Sequence, residues 1–143
     1  MTRSILAVLA GIVVLTIASF GIEAVAGPLM LRMFPQALPN QAAMGQNAWA
    51  RLFMLAYTML SVAAGGYVTA WLARRSRVRH AVIMGALEAA MTVWVVATLP
   101  GHGPLWPGIA AIVLIVPAAW SGGAMAVKRP AVAVVRADRP VSS

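Results

Sequence analysis

Three acidic side chains and two histidines are all that this sequence offers for acid–base or metal chemistry. Glu88 lies deep inside an apolar segment, Glu23 lies near the end of another, and Asp138 lies in the C-terminal tail. His80 and His102 both flank apolar segments, and there is no cysteine. A nucleophile–base pair, a thiolate metal site and a bis-histidine haem site cannot be assembled from these residues. We therefore predict that the chain is not an enzyme and that it holds no cofactor or metal.

Glu88 is the strongest candidate for a functional group. It lies about 10 Å from the end of its segment at the helical rise of 1.5 Å per residue, and a charge near the bilayer centre costs about 2.5–3.5 kcal/mol. Protonation and a hydrogen bond would remove most of that cost. Residues at matching depth on the other segments are Gly65, Gly66, Trp120 and Ser121. Two roles stay open for Glu88: a neutral group that clamps helices together, and a group that exchanges protons.

Glu23 has a different expected environment, close to the membrane surface. Arg51, at the start of the next apolar segment, lies at the same depth, and Arg32 is the substitute partner. An opposite charge within about 4–6 Å favours the ionised carboxylate. We predict an interfacial ion pair with a mainly structural role.

Composition decides which elements must position these groups. Of the 143 residues, 62% are hydrophobic and 10% are charged, and the mean hydropathy is +0.86. Soluble domains carry roughly 25% charged residues, and a soluble fold of this size could not bury so much apolar surface. The sequence therefore predicts an integral membrane protein.

Four apolar segments are each long enough to cross a bilayer, which requires about 20 residues. The expected spans cover residues 5–26, 48–73, 81–99 and 105–127. They predict an all-α fold, a four-transmembrane-helix antiparallel bundle in a single domain of residues 1–130, followed by a mobile basic cytoplasmic tail, 131–143. Pro28 is expected to end the first helix, which leaves residues 29–34 either flat on the membrane or in an irregular loop. The alternative for residues 1–26 is a cleaved signal peptide.

Small residues recur every four positions on two of the spans. This spacing lets helix backbones approach closely, which substitutes for the hydrophobic drive that lipid removes. We favour packing within the bundle over a homodimer face for these ridges: Ser61, Gly65 and Thr69, with Gly66 and Ala70 beside them, and Ala118, Gly122 and Ala126.

The basic residues are distributed unevenly around the spans, and the net charge is +8. Nine of the eleven fall on one predicted side: Arg3, Arg74, Arg75, Arg77, Arg79, Lys128, Arg129, Arg136 and Arg139. The positive-inside rule then places both termini in the cytoplasm. The four arginines after the second span lie in a turn too short for a nucleic-acid domain, so we expect Arg74, Arg75, Arg77 and Arg79 to contact anionic lipid headgroups.

The stretch from residue 61 to 88 carries a resemblance. Its glycine pair before Tyr67, then Arg74-Arg75, His80-Ala81 and Gly85, resembles small four-helix bacterial inner-membrane proteins that are uncharacterised. The resemblance implies a fold in the bacterial cytoplasmic membrane and no particular activity.

Two classes of function follow. The first is a structural or accessory subunit that packs through small-residue helix faces, with a homo-oligomer or a larger membrane protein as the partner. The alternative is a small proton-coupled transporter or permease that uses Glu88. Small multidrug resistance transporters are similar in size and helix number, but their carboxylate lies in the first helix, whereas Glu88 lies in the third span.

Overall fold

The computed structural model describes residues 2–73, 76–98 and 105–128. In these ranges the chain forms five helices, in the order α1 (Thr2–Met33), α2 (Gln41–Gln46), α3 (Ala48–Leu72), α4 (Arg77–Thr98) and α5 (Trp106–Lys128). All except the short α2 are long and apolar enough to cross a membrane. The predicted all-α, four-span membrane fold is therefore confirmed, while the tail from residue 131 lies outside the described residues.

The predicted helix break at Pro28 is wrong, because α1 continues through this proline to Met33. Proline removes one hydrogen bond from a helix, and tertiary packing in this region stabilises the turns that follow. Met30 is buried against Leu38, Met44 and Ala50. Most of the segment 29–34 is thus the end of a long helix, neither a surface helix nor an irregular loop.

Two asparagines begin the helices that follow, as their side chains suggest. Asn40 Oδ1 accepts a hydrogen bond of 2.9 Å from the Ala43 amide at the start of α2. Asn47 Oδ1 accepts one of 3.2 Å from the Trp49 amide at the start of α3. Phe34 also packs edge-to-face on Trp49, with ring centroids 5.2 Å apart. The connection after α1 is therefore fixed onto this end of the bundle, here called the α2 end.

The other three long helices, α1, α4 and α5, all pack against α3. Close contacts pair Gly66 with Ala119 and Ala70 with Gly123, so α3 and α5 run in the same direction. Gly11 pairs with Thr69, and Leu15 pairs with Gly65, so α1 runs antiparallel to α3. The main core lies between these helices and consists of Val8, Leu15, Val62, Met84, Ile115 and Ala119.

Candidate functional site

The glycine pair of α3 is a crossing point for two neighbouring helices. A Cβ atom on Gly65 would lie 2.7 Å from the Gly11 carbonyl oxygen of α1 and 3.2 Å from Cε of Met84. A Cβ atom on Gly66 would lie 3.0 Å from Cα of Ala119 on α5. The predicted packing of small residues within the bundle is confirmed. The same contacts show that neighbouring helices fill the space beside both glycines.

Glu88 lies on the face of α4 that points into the bundle. Met84 and Gly85 are buried one turn before it, and residues three and four apart share a helix face. The Glu88 side chain is half-buried, and its backbone carbonyl accepts a 2.9 Å hydrogen bond from the Thr92 hydroxyl. The burial pattern of this helix therefore indicates that Glu88 is directed towards the bundle.

The structure does not bring Trp120 and Ser121 to Glu88. Gly85 meets Ala119, and Ala81 meets Gly123, so the antiparallel α4–α5 pairing places Glu88 level with Val116. This level is about one helical turn away from Trp120 and Ser121. Within the described ranges, the Ser121 hydroxyl donates to the Ala118 carbonyl at 2.8 Å, and Trp120 is 55% exposed on the outside of the bundle.

Glu23 lies level with Tyr57, as the pairing of Gly11 with Thr69 requires. Arg51 lies six residues before Tyr57, about 9 Å along the helix axis, and its Nε donates a hydrogen bond to the Gly45 carbonyl of α2. Arg32 is exposed in the last turn of α1. The ion pair of Glu23 with Arg51 or Arg32 stays a prediction.

A stretch of α1 around Glu23 is exposed on all sides. Every residue from 20 to 25 is exposed, and six residues make more than a full helical turn. A Cβ atom on Gly21 would meet nothing within 4 Å. Leu15 before this stretch and Met30 after it are both buried. We call residues 20–25 the open segment of α1, because neighbouring helices leave its circumference uncovered.

Basic side chains gather at the opposite end of the bundle. Arg77 and Arg79 are exposed in the first turn of α4, and they line an open cleft of about 500 Å³ with Ser76, Val78 and Val127. Positive charge at a helix N-terminus opposes the macrodipole, so a bound anion is favourable there. Phosphate headgroups would satisfy this requirement. Arg74 and Arg75, which belong to the same predicted contact, lie outside the described residues.

Two features of the structure have no signal in the sequence. The Thr69 hydroxyl is fully buried at the crossing of α1 and α3 and has no hydrogen-bond partner among the described residues. The Arg51 side chain bridges α3 to α2 through Gly45. The first depends on a contact between α1 and α3, which are far apart along the chain, and the second on a contact between α2 and α3, which are adjacent. Residue spacing within one helix reveals neither contact.

No protein-family model matches this chain, and no curated protein or solved structure is similar to it. In the described ranges, histidine and acidic side chains form no cluster of three or more that could hold a metal ion. The molecule is a small four-span helical membrane protein. Its candidate functional surfaces are the open segment of α1, the inward-facing Glu88, and the two ends of the bundle.

Proposed function

We propose that this protein is an accessory subunit of a larger membrane assembly in the bacterial cytoplasmic membrane, with both termini in the cytoplasm. Its docking surface is the open segment of α1. The observation that carries the proposal is the exposure of six consecutive residues, 20–25, around the whole circumference of a helix that is otherwise packed against the bundle.

The small-residue ridges are excluded as docking surfaces, and this supports the choice of the open segment. Gly65 and Gly66 are covered by α1 and α5, and Gly85 and Gly123 close the contact between α4 and α5. These faces stabilise the chain itself and leave no room for another helix. A partner must therefore use a surface that the bundle does not cover.

The chemistry of the open segment indicates what kind of partner fits. Lipid can cover Phe20 and Val25, but a carboxylate such as Glu23 is costly in hydrocarbon unless it finds a partner. Gly21 and Ala24 have the smallest side chains, so another helix backbone could approach this surface closely. The partner is a transmembrane helix with a basic or hydrogen-bond-donating side chain at the depth of Glu23.

A second copy of this chain fits less well. Most homodimers have two-fold symmetry, so the same patch faces itself across the interface. Such an arrangement would bring two Glu23 carboxylates towards each other, and like charges repel strongly in a low-dielectric environment. Charge complementarity therefore favours a different protein as the partner.

The experiment is purification of the tagged full chain from native membranes in mild detergent, followed by native mass spectrometry. We expect a complex of fixed stoichiometry with a second membrane protein. Ala24→Leu should abolish it, because the added bulk prevents close approach. Glu23→Gln should weaken it by removing the charge.

Ala90→Leu is the matched control, because Ala90 is also an exposed alanine but belongs to α4, a different helix from the open segment. This variant should retain the complex in full. Equal loss in Ala24→Leu and Ala90→Leu would contradict the proposed surface. A mass equal to the chain alone, or to a whole multiple of it, would contradict a heteromeric partner.

The second candidate function is proton-coupled transport with Glu88 as the exchanging group. It is supported by the half-buried position of Glu88 on the inward face of α4. In proteoliposomes with an imposed pH gradient, a transporter would dissipate the gradient when its substrate is present, and Glu88→Gln should stop this. Thr92→Val, one turn away on the same face, is the control that should leave transport intact.

A further inference from the structure

We propose that a cleft between α3 and α5 at the α2 end binds an anionic phospholipid, with the phosphate at Arg51 and one acyl chain between the helices. The cleft is independent of the open segment of α1. It has a volume of about 360 Å³ and is lined by Arg51, Met54, Leu55, Thr58, Pro107 and Ala111.

The cleft lies beyond the closest contacts between these two parallel helices. Gly66 contacts the Ala119 backbone, and Gly122 contacts the Ala63 backbone, towards the C-terminal ends of α3 and α5. The first turns of α5 carry Pro107 and Ala111 on the side that faces the cleft. These side chains are too short to fill the space that opens between the helices at the α2 end.

Arg51 places a positive charge at one end of this cleft. Its Nε donates to the Gly45 carbonyl in the last turn of α2. A Cβ atom on Gly45 would lie 3.7 Å from Nη2, so the guanidinium is in close contact with this helix. An arginine has five donors on a planar group and suits the oxygens of a phosphate. Its charge is therefore held in position beside the cleft.

The rest of the cleft is suited to an aliphatic chain. Met54, Leu55 and Ala111 are apolar, and the Thr58 hydroxyl already donates to the Met54 carbonyl at 2.8 Å. A ligand here needs one anionic group and a flexible apolar chain. The bilayer supplies such a molecule directly, because α3 begins at Ala48 and Arg51 therefore lies in the first turn of a membrane span.

The test is native mass spectrometry of the full chain in detergent with added phosphatidylglycerol or with phosphatidylcholine of the same chain length. We expect preferential retention of phosphatidylglycerol. Arg51→Gln should lower its apparent affinity about tenfold, since charge-assisted hydrogen bonds are lost. Arg32→Gln removes the same charge from an exposed arginine of α1 that does not line the cleft, so it should change phosphatidylglycerol binding less than about twofold.

A second variant separates the cleft from a simple surface charge. Ala111→Leu leaves Arg51 in place but adds bulk where the acyl chain would lie, so it should also weaken phosphatidylglycerol binding. Circular dichroism and the thermal midpoint of each variant establish that it is folded. Undiminished binding by Ala111→Leu, or equal effects of the two arginine variants, would overturn the site. Stronger binding of free oleate than of phosphatidylglycerol would overturn the assignment to a phospholipid.

Discussion

Gly66 of α3 and Ala119 of α5 are in direct backbone contact, with room for a hydrogen atom but not for a methyl group between them. A Cβ atom on Gly66 would lie 3.0 Å from both the Cα and the carbonyl carbon of Ala119. One residue earlier, Gly65 makes the same kind of contact with the Gly11 carbonyl of α1. Two adjacent glycines thus hold two different helices against α3.

This relationship predicts opposite effects for two identical substitutions. Gly66→Ala should lower the free energy of unfolding by about 2 kcal/mol, because overpacking against backbone typically costs about 1–3 kcal/mol. Gly21→Ala should raise it by up to about 1 kcal/mol through helix propensity, since its Cβ would meet open space. Unfolding of the purified variants in a denaturing detergent, followed by circular dichroism, measures both. Equal effects would contradict the structure.

The buried hydroxyl of Thr69 predicts a stabilising substitution. This group has no hydrogen-bond partner among the described residues, and an unsatisfied buried polar group costs about 1–3 kcal/mol. Thr69→Val keeps the shape and should raise the free energy of unfolding by about 1 kcal/mol. Thr58→Val is the control: its hydroxyl donates to the Met54 carbonyl at 2.8 Å, so the same change should not stabilise the protein. If Thr69→Val is instead less stable than the wild type, the Thr69 hydroxyl must make a hydrogen bond.

Glu88→Gln tests whether this residue acts as a neutral structural group. Glutamine matches a protonated glutamate in size and hydrogen-bonding capacity, so the free energy of unfolding should change by less than about 0.5 kcal/mol. Glu88→Lys should lower it far more, because it places a fixed charge on the inward face of α4. The thermal midpoints of the three proteins provide the measurement. A wild-type midpoint that varies between pH 5 and 8 while the glutamine variant's does not would show that Glu88 ionises.

The distribution of basic residues predicts the orientation of the chain. The chain has no native cysteine, so a single introduced cysteine can be labelled without background from other thiols. In intact cells a membrane-impermeant maleimide should label Gln36→Cys, on the connection between α1 and α2, and should label Ser76→Cys only after permeabilisation. Both positions are exposed. Labelling of Ser76→Cys in intact cells would show that the chain has the opposite orientation.

The sequence by itself determined the class of fold. Four runs of about 20 apolar residues can be accommodated only as membrane-spanning helices, because lipid leaves no other way to satisfy the backbone. The periodic spacing of Gly65 and Thr69 on α3 and of Gly122 and Ala126 on α5 also predicted correctly which faces pack inside the bundle. These features depend on local composition and on the 3.6-residue period of one helix, and both can be read from a single segment.

Only the tertiary structure decided which helices meet and at what depth. Depth counting from predicted span ends placed Trp120 and Ser121 beside Glu88, whereas the contact of Gly85 with Ala119 puts Glu88 level with Val116. Pro28 could not be recognised as a residue inside a helix, because the buried packing of Met30 with Met44 and Ala50, which lie farther along the chain, overrides the local preference. The register between two helices is set by the side chains of both, so the pattern of one helix cannot determine it.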